Sequence, residues 1–524
     1  MTVESGSSRH SSWEGEELNR MLVGKVEKTR RLQLVAVVCV LSILLAACSG
    51  YAPARIATKS AAKTQTETGP APDPATTAPE LPTEPGQGPA ITGGPAKAGQ
   101  SQPRKVLTKT SSGITVSQTA GGLPKADIWP AAEDKVGYTA TEIKLCMHAA
   151  FALGHVFDNR PDDEKVYWDE VNRTGGVFGR KVLIKYEDDA YLPDTTTAAL
   201  NRCKDGNPFL YLGGVGFDQA PAARTWAEAN KMPYFYNMAA EASNLKYSFS
   251  PIASIQRNGG FLGQFAATRL AGKKFGIIYV NTDNWRVGSQ RFEDELKARG
   301  ITVAEGDKKP IQNNNHADFL TIINQFQQSG VTALLTYINA LALNRFIAQA
   351  DGQQYHPVIL SPDGFDLVPD TVGNGRLGDG VDHMRNFPGI YAGWVSPAYE
   401  TGPPAEKART SVSWYSEMEK MKAAYVRHLP EKKVNDVDWM FWLYAKTIHQ
   451  MLLDCTADCS RNVLAGLMLT GYKTTAVLDC PVDFSLGGGR LGGHYLNMYK
   501  SESVGLPGAS KSYWRQIETC KSGF

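Results

Sequence analysis

The chain has 524 residues, more than one small core needs, and this length predicts two globular lobes with additional segments. Lys and Arg (55) nearly balance Asp and Glu (53), which argues against a nucleic-acid partner, because such a partner requires a concentrated basic face. With 42% hydrophobic residues, 50 Gly and 29 Pro, the composition is that of a globular protein with a disordered segment.

The first predicted element is an export signal. A basic cluster, Lys25–Arg31, precedes the apolar run Leu32–Ala47, which is shorter than the roughly 20 residues that a membrane-spanning helix needs. The run ends in Leu45-Ala46-Ala47-Cys48, which resembles the lipobox of bacterial lipoproteins and implies that Cys48 is lipidated after cleavage. An ordinary signal peptide or a short signal anchor is the alternative. Met21 would be a more usual start, so the residues before it are a mis-set start or a dispensable extension.

These features divide the chain into three parts. Residues 1–47 are the extension and signal peptide, residues 48–127 are the lipid anchor and a Pro/Ala/Thr-rich tether, and residues 128–524 are the globular domain. Ten prolines lie between Tyr51 and Lys105, and such a stretch cannot bury enough apolar surface to fold. We therefore expect a disordered tether that holds the domain away from the membrane.

In the globular domain, short apolar runs alternate with amphipathic stretches, a pattern typical of β-α-β units with parallel strands. The predicted strands are Glu142–Met147, Lys181–Tyr186, Phe209–Gly213, Tyr234–Asn237, Phe275–Val280, Thr302–Glu305, Ala333–Thr336 and Pro357–Leu360, with two more around Gly487–Gly493. The predicted helices are Asp163–Thr174, Thr195–Lys204, Ala220–Asn230, Asn258–Leu270, Ser289–Gly300, Ala317–Ser329, Asp436–Asp454 and Ser460–Thr470.

Six cysteines follow Cys48, an even number suited to an oxidising compartment. We predict that they form three disulfides: Cys146–Cys203, Cys455–Cys459 and Cys480–Cys520. A zinc site is the competing interpretation, but no CxxC pair or histidine at ligand spacing accompanies these cysteines. We therefore expect structural disulfides and neither a metal nor another cofactor.

One turn carries a family resemblance. In the stretch 172–181, Gly175 and Gly176 end a helix in the left-handed conformation, and Gly179 turns the chain into a strand that ends in acidic residues. This Asn-x-x-Gly-Gly-x-x-Gly-Arg arrangement closely resembles the type I periplasmic binding proteins of the branched-chain amino-acid (Leu/Ile/Val-binding) family. The resemblance extends over most of residues 138–500.

Four further segments carry the same resemblance: Phe209–Gly214, Met232–Phe235, Tyr279–Trp285 and Ser361–Gly364. It implies an α/β fold in which two doubly wound parallel-sheet lobes are joined by a three-crossover hinge. The implied first lobe comprises about 136–252 and 398–486, and the second about 253–397 and 487–524. The implied crossovers lie near Ser250–Ile255, Val395–Tyr399 and Leu486–Gly489.

The glycine-rich loop Gly214-Val215-Gly216 also has some likeness to a dinucleotide-binding turn. The third glycine is missing, since Gln219 stands there, and no ribose-binding acid follows at the usual distance. A helix N-terminus still offers free N–H groups to an anion. We therefore interpret this loop as a place for a ligand carboxylate.

The family resemblance also implies the ligand contacts. In relatives that bind amino acids, hydroxyls and backbone N–H groups hold the carboxylate, and an acid of the second lobe, matched here by Asp363, meets the ammonium. The predicted ligand-contact residues are Phe151, Gly216, Phe217, Asp218, Ala239, Ala240, Glu241, Trp285, Asn339 and Asp363. The relatives' first-lobe hydroxyls are missing, so an aromatic pocket with Asp218 or Glu241 facing a polar or cationic group is expected. In the alternative interpretation, the aromatic residues only pack the loops.

The predicted function is that of an extracytoplasmic solute-binding lipoprotein, a monomer anchored to the membrane through Cys48 and delivering a small solute to an ABC permease. A ligand-sensing receptor that signals through a separate membrane partner is the alternative. An enzyme using Asp218, Glu241 or Asp363 and a structural cell-wall protein are weaker alternatives. The GxSxG, HExxH and Walker A motifs are absent, and the nine histidines are scattered.

Overall fold

A computed structural model gives the fold. It describes residues 116–118, 122–151, 160–214, 216–236, 239–314, 316–362, 383–394, 412–475, 480–504 and 511–524. All of them belong to one compact unit, Gln100–Phe524.

The described residues form strands and helices in alternation over much of the chain. The strands are β1 Val116–Gln118, β2 Pro124–Ala126, β3 Glu142–Ala149, β4 Lys181–Asp188, β5 Leu210–Gly213, β6 Tyr234–Phe235, β7 Ser248–Ala253, β8 Phe275–Val280, β9 Lys308–Ile311, β10 Ala333–Tyr337, β11 Val358–Ser361, β12 Ile390–Trp394, β13 Lys473–Thr474, β14 Val482–Gly487, β15 Leu491–Gly493, β16 Leu496–Val504 and β17 Lys511–Lys521. The helices are α1 Ala131–Asp134, α2 Pro161–Arg173, α3 Pro193–Asp205, α4 Ala220–Asn230, α5 Ile255–Arg269, α6 Asp283–Lys297, α7 Leu320–Ser329, α8 Ala340–Gly352, α9 Val412–His428, α10 Asp436–Asp454 and α11 Arg461–Leu469.

Two sheets define two lobes. The first lobe has the strand order β13-β14-β15-β7-β6-β5-β3-β4, and the second has β17-β16-β12-β11-β10-β8-β9. The strands from β7 to β4 and from β12 to β9 pair in parallel, whereas those at the other end of each sheet pair mainly antiparallel. The α/β fold class is confirmed, with sheets that are mixed rather than wholly parallel.

Local sequence explains where the elements begin. The strand β8 is buried along almost its whole length, as expected for a central parallel strand with helices on both faces. Helix α5 begins after Ser254, whose side chain accepts the N–H of Arg257. Helix α10 begins after Asn435, which forms a capping box with Asp438.

The chain passes between the lobes at two described points. It leaves the first sheet after β7 and enters α5, within the predicted crossover Ser250–Ile255. It returns to the second sheet between β15 and β16, at residues 494–495. The predicted crossover Leu486–Gly489 instead lies in the turn between β14 and β15, which both belong to the first sheet. The predicted crossover Val395–Tyr399 lies outside the described residues.

Two other expectations need correction. The predicted strand Thr302–Glu305 is a loop leading into a short 3-10 helix, and the strand of this region is β9. The predicted tether ends earlier than residue 127, because β1 and β2 pair as an antiparallel hairpin. The residues just after β2 are held to the first lobe by Asn462, whose Oδ1 accepts the N–H groups of Ile128 and Trp129 at 2.9 and 3.0 Å.

The six predicted disulfide cysteines are bonded in pairs. Cys146–Cys203 joins β3 to α3, and Cys455–Cys459 closes a short turn after α10. Cys480–Cys520 joins the loop that precedes β14, in the first sheet, to β17 in the second. The third disulfide is therefore a covalent link between the lobes. Among the described helices, none has both the length and the apolar character that crossing a membrane requires.

Candidate functional site

The lobes meet where three loops come together at the carboxyl ends of strands. Residues 216–219 follow β5, residues 239–241 follow β6, and the turn into α6 follows β8 of the second lobe. Ligands of doubly wound sheets bind at this edge. The contacts among the three loops therefore define the candidate site.

The side-chain amide of Asn284, in the first turn of α6, bridges the two first-lobe loops. Its Nδ2 donates to the carbonyl of Phe217 at 2.8 Å, and its Oδ1 accepts the N–H of Ala240 at 2.8 Å. The carbonyl of Ala240 accepts from Arg224 Nη1 at 2.5 Å. Asn284 is buried, and a buried amide is costly to leave without partners. The Asn284 side chain is thus a planar polar group held between the two loops.

The carboxylate of Asp218 receives hydrogen bonds from the second lobe. Trp285 Nε1 donates to its Oδ1 at 2.5 Å, and Asn314 Nδ2 to its Oδ2 at 3.4 Å. Burial raises the pKa of Asp218 above its ordinary value, and these two donors oppose that effect. Both donors are neutral, so they contribute hydrogen bonds to the carboxylate but no counter-charge.

Aromatic rings fill the space beside this carboxylate. The rings of Phe217 and Trp285 meet edge to face at 5.1 Å, and Trp285 meets Tyr337 in the same way at 5.9 Å. Tyr337 in turn donates its hydroxyl proton to the carbonyl of Ile255, at the first crossover. Phe217 belongs to the first lobe, yet its ring packs within the hydrophobic core of the second. In this structure the rings of Phe217 and Trp285 pack loops of the two lobes together.

A buried polar network supports the loop after β5. His148 Nδ1 and Nε2 lie 2.7 Å from Asp189 Oδ2 and from the Tyr234 hydroxyl, respectively. Gln219 donates to both carboxylate oxygens of Asp189 at 3.3 and 3.2 Å. Gly216 adopts φ +133°, and a β-carbon there would lie 2.0 Å from the Gln219 side chain, so only glycine fits. The network holds the loop in a fixed conformation.

Two predicted ligand-contact residues lie apart from the contacts that Asn284 and Trp285 make with the first-lobe loops. Glu241 is exposed, and its Oε1 accepts from Ser254 Oγ at 2.7 Å and pairs with Arg257 Nε at 3.1 Å. Phe151 is half-buried in the first lobe, where its ring packs edge-on against Tyr186 at 5.8 Å. Neither side chain joins Asn284, Trp285 or Asp218.

The remaining predicted residues have other placements. Ala239 is buried, and its carbonyl accepts the N–H of Ile255 at 3.1 Å, which ties the loop after β6 to the first crossover. Asn339 caps α8, since its Oδ1 accepts the N–H of Ala342 at 3.0 Å, and its own N–H donates to Asn314. Asp363 and Cys48 lie outside the described residues.

Sequence reasoning missed Asn284 and Asn314. Asn284 lies beside the predicted Trp285, and Asn314 lies in the run Gln312–His316 that follows β9. Amide side chains directly after a strand of a parallel sheet were the available signal, because that edge carries ligand contacts. The pairing of Asn284 with main-chain groups of the other lobe depends on how the lobes pack, which a linear pattern does not contain.

Two surface cavities on the first lobe contain none of the predicted ligand-contact residues. One, of about 540 Å³, lies between the start of α2 and the loop after α9, and the other, of about 400 Å³, lies among α2, α9 and α10. Within the described part of the chain, no group of three or more His, Cys, Asp or Glu side chains is placed to hold a metal ion.

Comparison with known proteins identifies relatives of the chain. A family model described as periplasmic binding protein matches residues 164–437, more than half of the chain. No curated protein sequence matches the chain significantly.

Solved structures share the fold at low sequence identity. A fatty acid ABC transporter substrate-binding protein from Thermomonospora curvata is 15% identical, with a TM-score of 0.55, over 74% of this chain and 95% of that one. A solute binding protein of an ABC transporter from R. palustris, in complex with 4-hydroxybenzoate, is 15% identical, with a TM-score of 0.56, over 73% and 97%. A leucine binding protein from Thermotoga maritima is 14% identical, with a TM-score of 0.53, over 72% and 99%.

Proposed function

The chain belongs to the periplasmic binding protein family, and on this premise we propose that it captures a small polar organic solute between its lobes as the extracytoplasmic component of an ABC importer. Capture works by hinge closure, which is a shift toward the conformation that makes better contacts with the solute. The membrane permease then recognises the closed form and receives the solute from it. The family and the structural neighbours consist of solute-binding proteins, not enzymes.

The observation that carries this proposal is the meeting of loops from both lobes at the carboxyl ends of their strands. A carboxylate, amides and aromatic rings converge there from residues 216–218 of one lobe and residues 284–285 and 314 of the other. Convergent polar groups in an otherwise apolar setting are what small-molecule sites provide. None of these contacts requires a catalytic role for the residues that make it.

The proposed solute class is an amino acid or a related amide or aromatic acid. The support is that structural neighbours include a leucine binding protein and a protein in complex with 4-hydroxybenzoate. The first-lobe loops lack the hydroxyls of amino-acid-binding relatives, which favours the amides and aromatic acids within this class. Asp363 remains the proposed partner of a cationic group on the solute.

The proposed location is the outer face of the cell membrane, with Cys48 as the lipidated residue. The support is the sequence Leu45-Ala46-Ala47-Cys48 and the Pro-rich stretch that follows it. The test is Cys48→Ser, which should move the protein from the membrane fraction to the soluble fraction and remove its lipid mass. Cys39→Ser is the matched control, and it should leave the distribution unchanged.

A thermal-shift experiment on the purified full-length protein tests solute binding. The probes are leucine, amides, 4-hydroxybenzoate and other aromatic acids, and polyamines. A solute at about 100 times its Kd stabilises the fold by about 2.7 kcal/mol, which raises Tm measurably. The shift should shrink in Asp363→Ala for a cationic solute and persist in Glu241→Gln. No shift with any probe in a folded sample would count against solute import and favour the signalling or structural alternatives.

A further inference from the structure

The contacts between the two lobes use protein side chains on both sides. From the second lobe, Asn284 and Trp285 approach, and from the first, Phe217, Asp218 and Ala240 receive them. We propose that these five residues form a latch that holds the lobes together without any contribution from a solute. The proposal requires only the two-lobed fold and is independent of the proposed solute.

The chemistry of the latch matches that of a bound ligand. The Asn284 amide donates to one loop and accepts from the other, and the Trp285 indole N–H meets a carboxylate. Hydrogen bonds to a charged acceptor are stronger than neutral ones. These are the kinds of bonds that a polar solute would make at the same edge. The second lobe therefore acts as an internal ligand of the first-lobe loops.

Burial makes the latch more than a chance surface contact. Asn284 and Trp285 are 6% and 1% exposed, and Phe217 is 8% exposed. Separation of the lobes would bring the Phe217 ring out of the second-lobe core into water, which is unfavourable. The hydrogen bonds and the ring contact therefore break together, and the latch behaves as one unit.

The position of the latch couples it to the hinge. The Trp285 ring packs on Tyr337, which donates to the carbonyl of Ile255, and Ile255 N–H donates to Ala239 beside the latch. Ile255 is the first residue of α5, directly after the first crossover. Movement of the hinge therefore changes the geometry at the latch, and a loosened latch frees the hinge.

Hydrogen–deuterium exchange of the full-length protein tests whether the latch is one unit. The probe is the amide of Ala240, which donates to Asn284. Asp218→Ala leaves that hydrogen bond chemically intact but removes the acceptor of Trp285, and Trp285→Phe removes the indole N–H together with part of the ring that packs on Phe217 and Tyr337. Both variants should speed exchange at Ala240 about tenfold or more, because the groups open together. Asp283→Ala, an exposed carboxylate beside the latch, is the control and should leave exchange unchanged.

An interlobe distance measurement tests the consequence for the hinge. Labels introduced as noncanonical amino acids at the exposed residues Val426, in the first lobe, and Leu320, in the second, avoid the disulfide cysteines. In the solute-free protein the distance distribution should be narrow, and it should broaden toward longer distances in Trp285→Phe and Asn284→Ala. Unchanged exchange at Ala240 in both Asp218→Ala and Trp285→Phe, or a distance distribution unaffected by Trp285→Phe and Asn284→Ala, would overturn the proposal. Failure to bind any solute would count against the proposed function only.

Discussion

The two lobes are connected in two regions that differ in chemistry. Beside the third crossover, Cys480–Cys520 joins the lobes covalently, and Asn497 Oδ1 accepts the N–H of Cys520 at 2.9 Å. Beside the first crossover, Asn284 and Trp285 join them through hydrogen bonds and ring packing. The first connection is covalent, whereas the second is noncovalent and, in the proposed latch, breaks when the lobes separate.

This difference suggests a division of labour at the hinge. A disulfide near one crossover limits how far the strands beside it can separate. A noncovalent contact near another crossover sets how much of the time the lobes are together, because its free energy is a few kcal/mol at most. Binding proteins of this kind need both properties, a defined path of motion and a small energy difference between its ends.

The largest expected effect comes from removing the covalent connection. The double variant Cys480→Ala/Cys520→Ala opens a loop spanning 40 residues in sequence and should lower the free energy of unfolding by about 4 kcal/mol. The double variant Cys455→Ala/Cys459→Ala is the matched control, since its sequence separation is 4 and the expected loss is about 2 kcal/mol. Denaturant unfolding measures both. Equal losses would show that the link between the lobes adds no constraint beyond a local turn.

A somewhat smaller loss is expected from the noncovalent connection. Phe217→Ala removes a ring that the first lobe inserts into the second-lobe core and should cost about 3 kcal/mol of unfolding free energy. Phe151→Ala removes a half-buried ring that packs within one lobe and serves as the control, with a smaller loss. Unfolding of both variants by denaturant gives the comparison. A smaller cost at Phe217 than at Phe151 would contradict a latch that stabilises the lobes.

The two connections should also differ in their response to pH. Burial raises the pKa of Asp218 above 3.8, so the folded state binds this proton more tightly than the unfolded state does. Ionisation of Asp218 therefore destabilises the fold as pH rises above 3.8 toward its raised pKa, and the effect is smaller than the two losses above. Asp218→Asn removes this dependence and keeps an acceptor for the indole.

Unfolding between about pH 4 and about pH 7 measures this effect. The stability of the unaltered protein relative to Asp218→Asn should fall as pH rises, while the two disulfide variants should follow the unaltered protein in parallel. Asp283→Asn, which removes an exposed carboxylate in the same turn, is the matched control for the loss of a charge beside Asn284. A difference that grows with pH would mean that the donors Trp285 and Asn314 outweigh burial.

Much of the fold could be predicted from the sequence because local patterns determine it. The helices Ala220–Asn230 and Asp436–Asp454 have the predicted bounds, since their apolar spacing and flanking residues are local signals. The strand of this region was predicted at Thr302–Glu305 because that run has strand-like residues. In the structure the chain continues past this run and pairs with β8 only at β9. Pairing partners that are distant in sequence decided the outcome.

The candidate site could be predicted only in part, for a related reason. The loops carrying Phe217, Asp218 and Trp285 were located from the family resemblance, and they follow strands at the carboxyl edge of each sheet. Their partners were not, since the Asn284 amide meets Phe217 and Ala240 only after the lobes pack. Asn339 was expected in the cleft, and in the structure its side chain caps α8, which is a common role for asparagine.

The smallest effect is expected at Glu241, which lies beside Ala240 but outside the latch. Glu241 is next to Ala240, yet its side chain is exposed and pairs with Arg257 of α5 without touching Asn284 or Trp285, and exposed ion pairs contribute little. Glu241→Gln should therefore change the unfolding free energy by no more than about 0.5 kcal/mol and leave exchange at Ala240 unaltered. Asn284→Ala, which acts on the same Ala240 from the other lobe, is the contrasting variant and should speed that exchange. If Glu241→Gln loosened Ala240 as much as Asn284→Ala, the loop itself, and not the second lobe, would be what holds this amide.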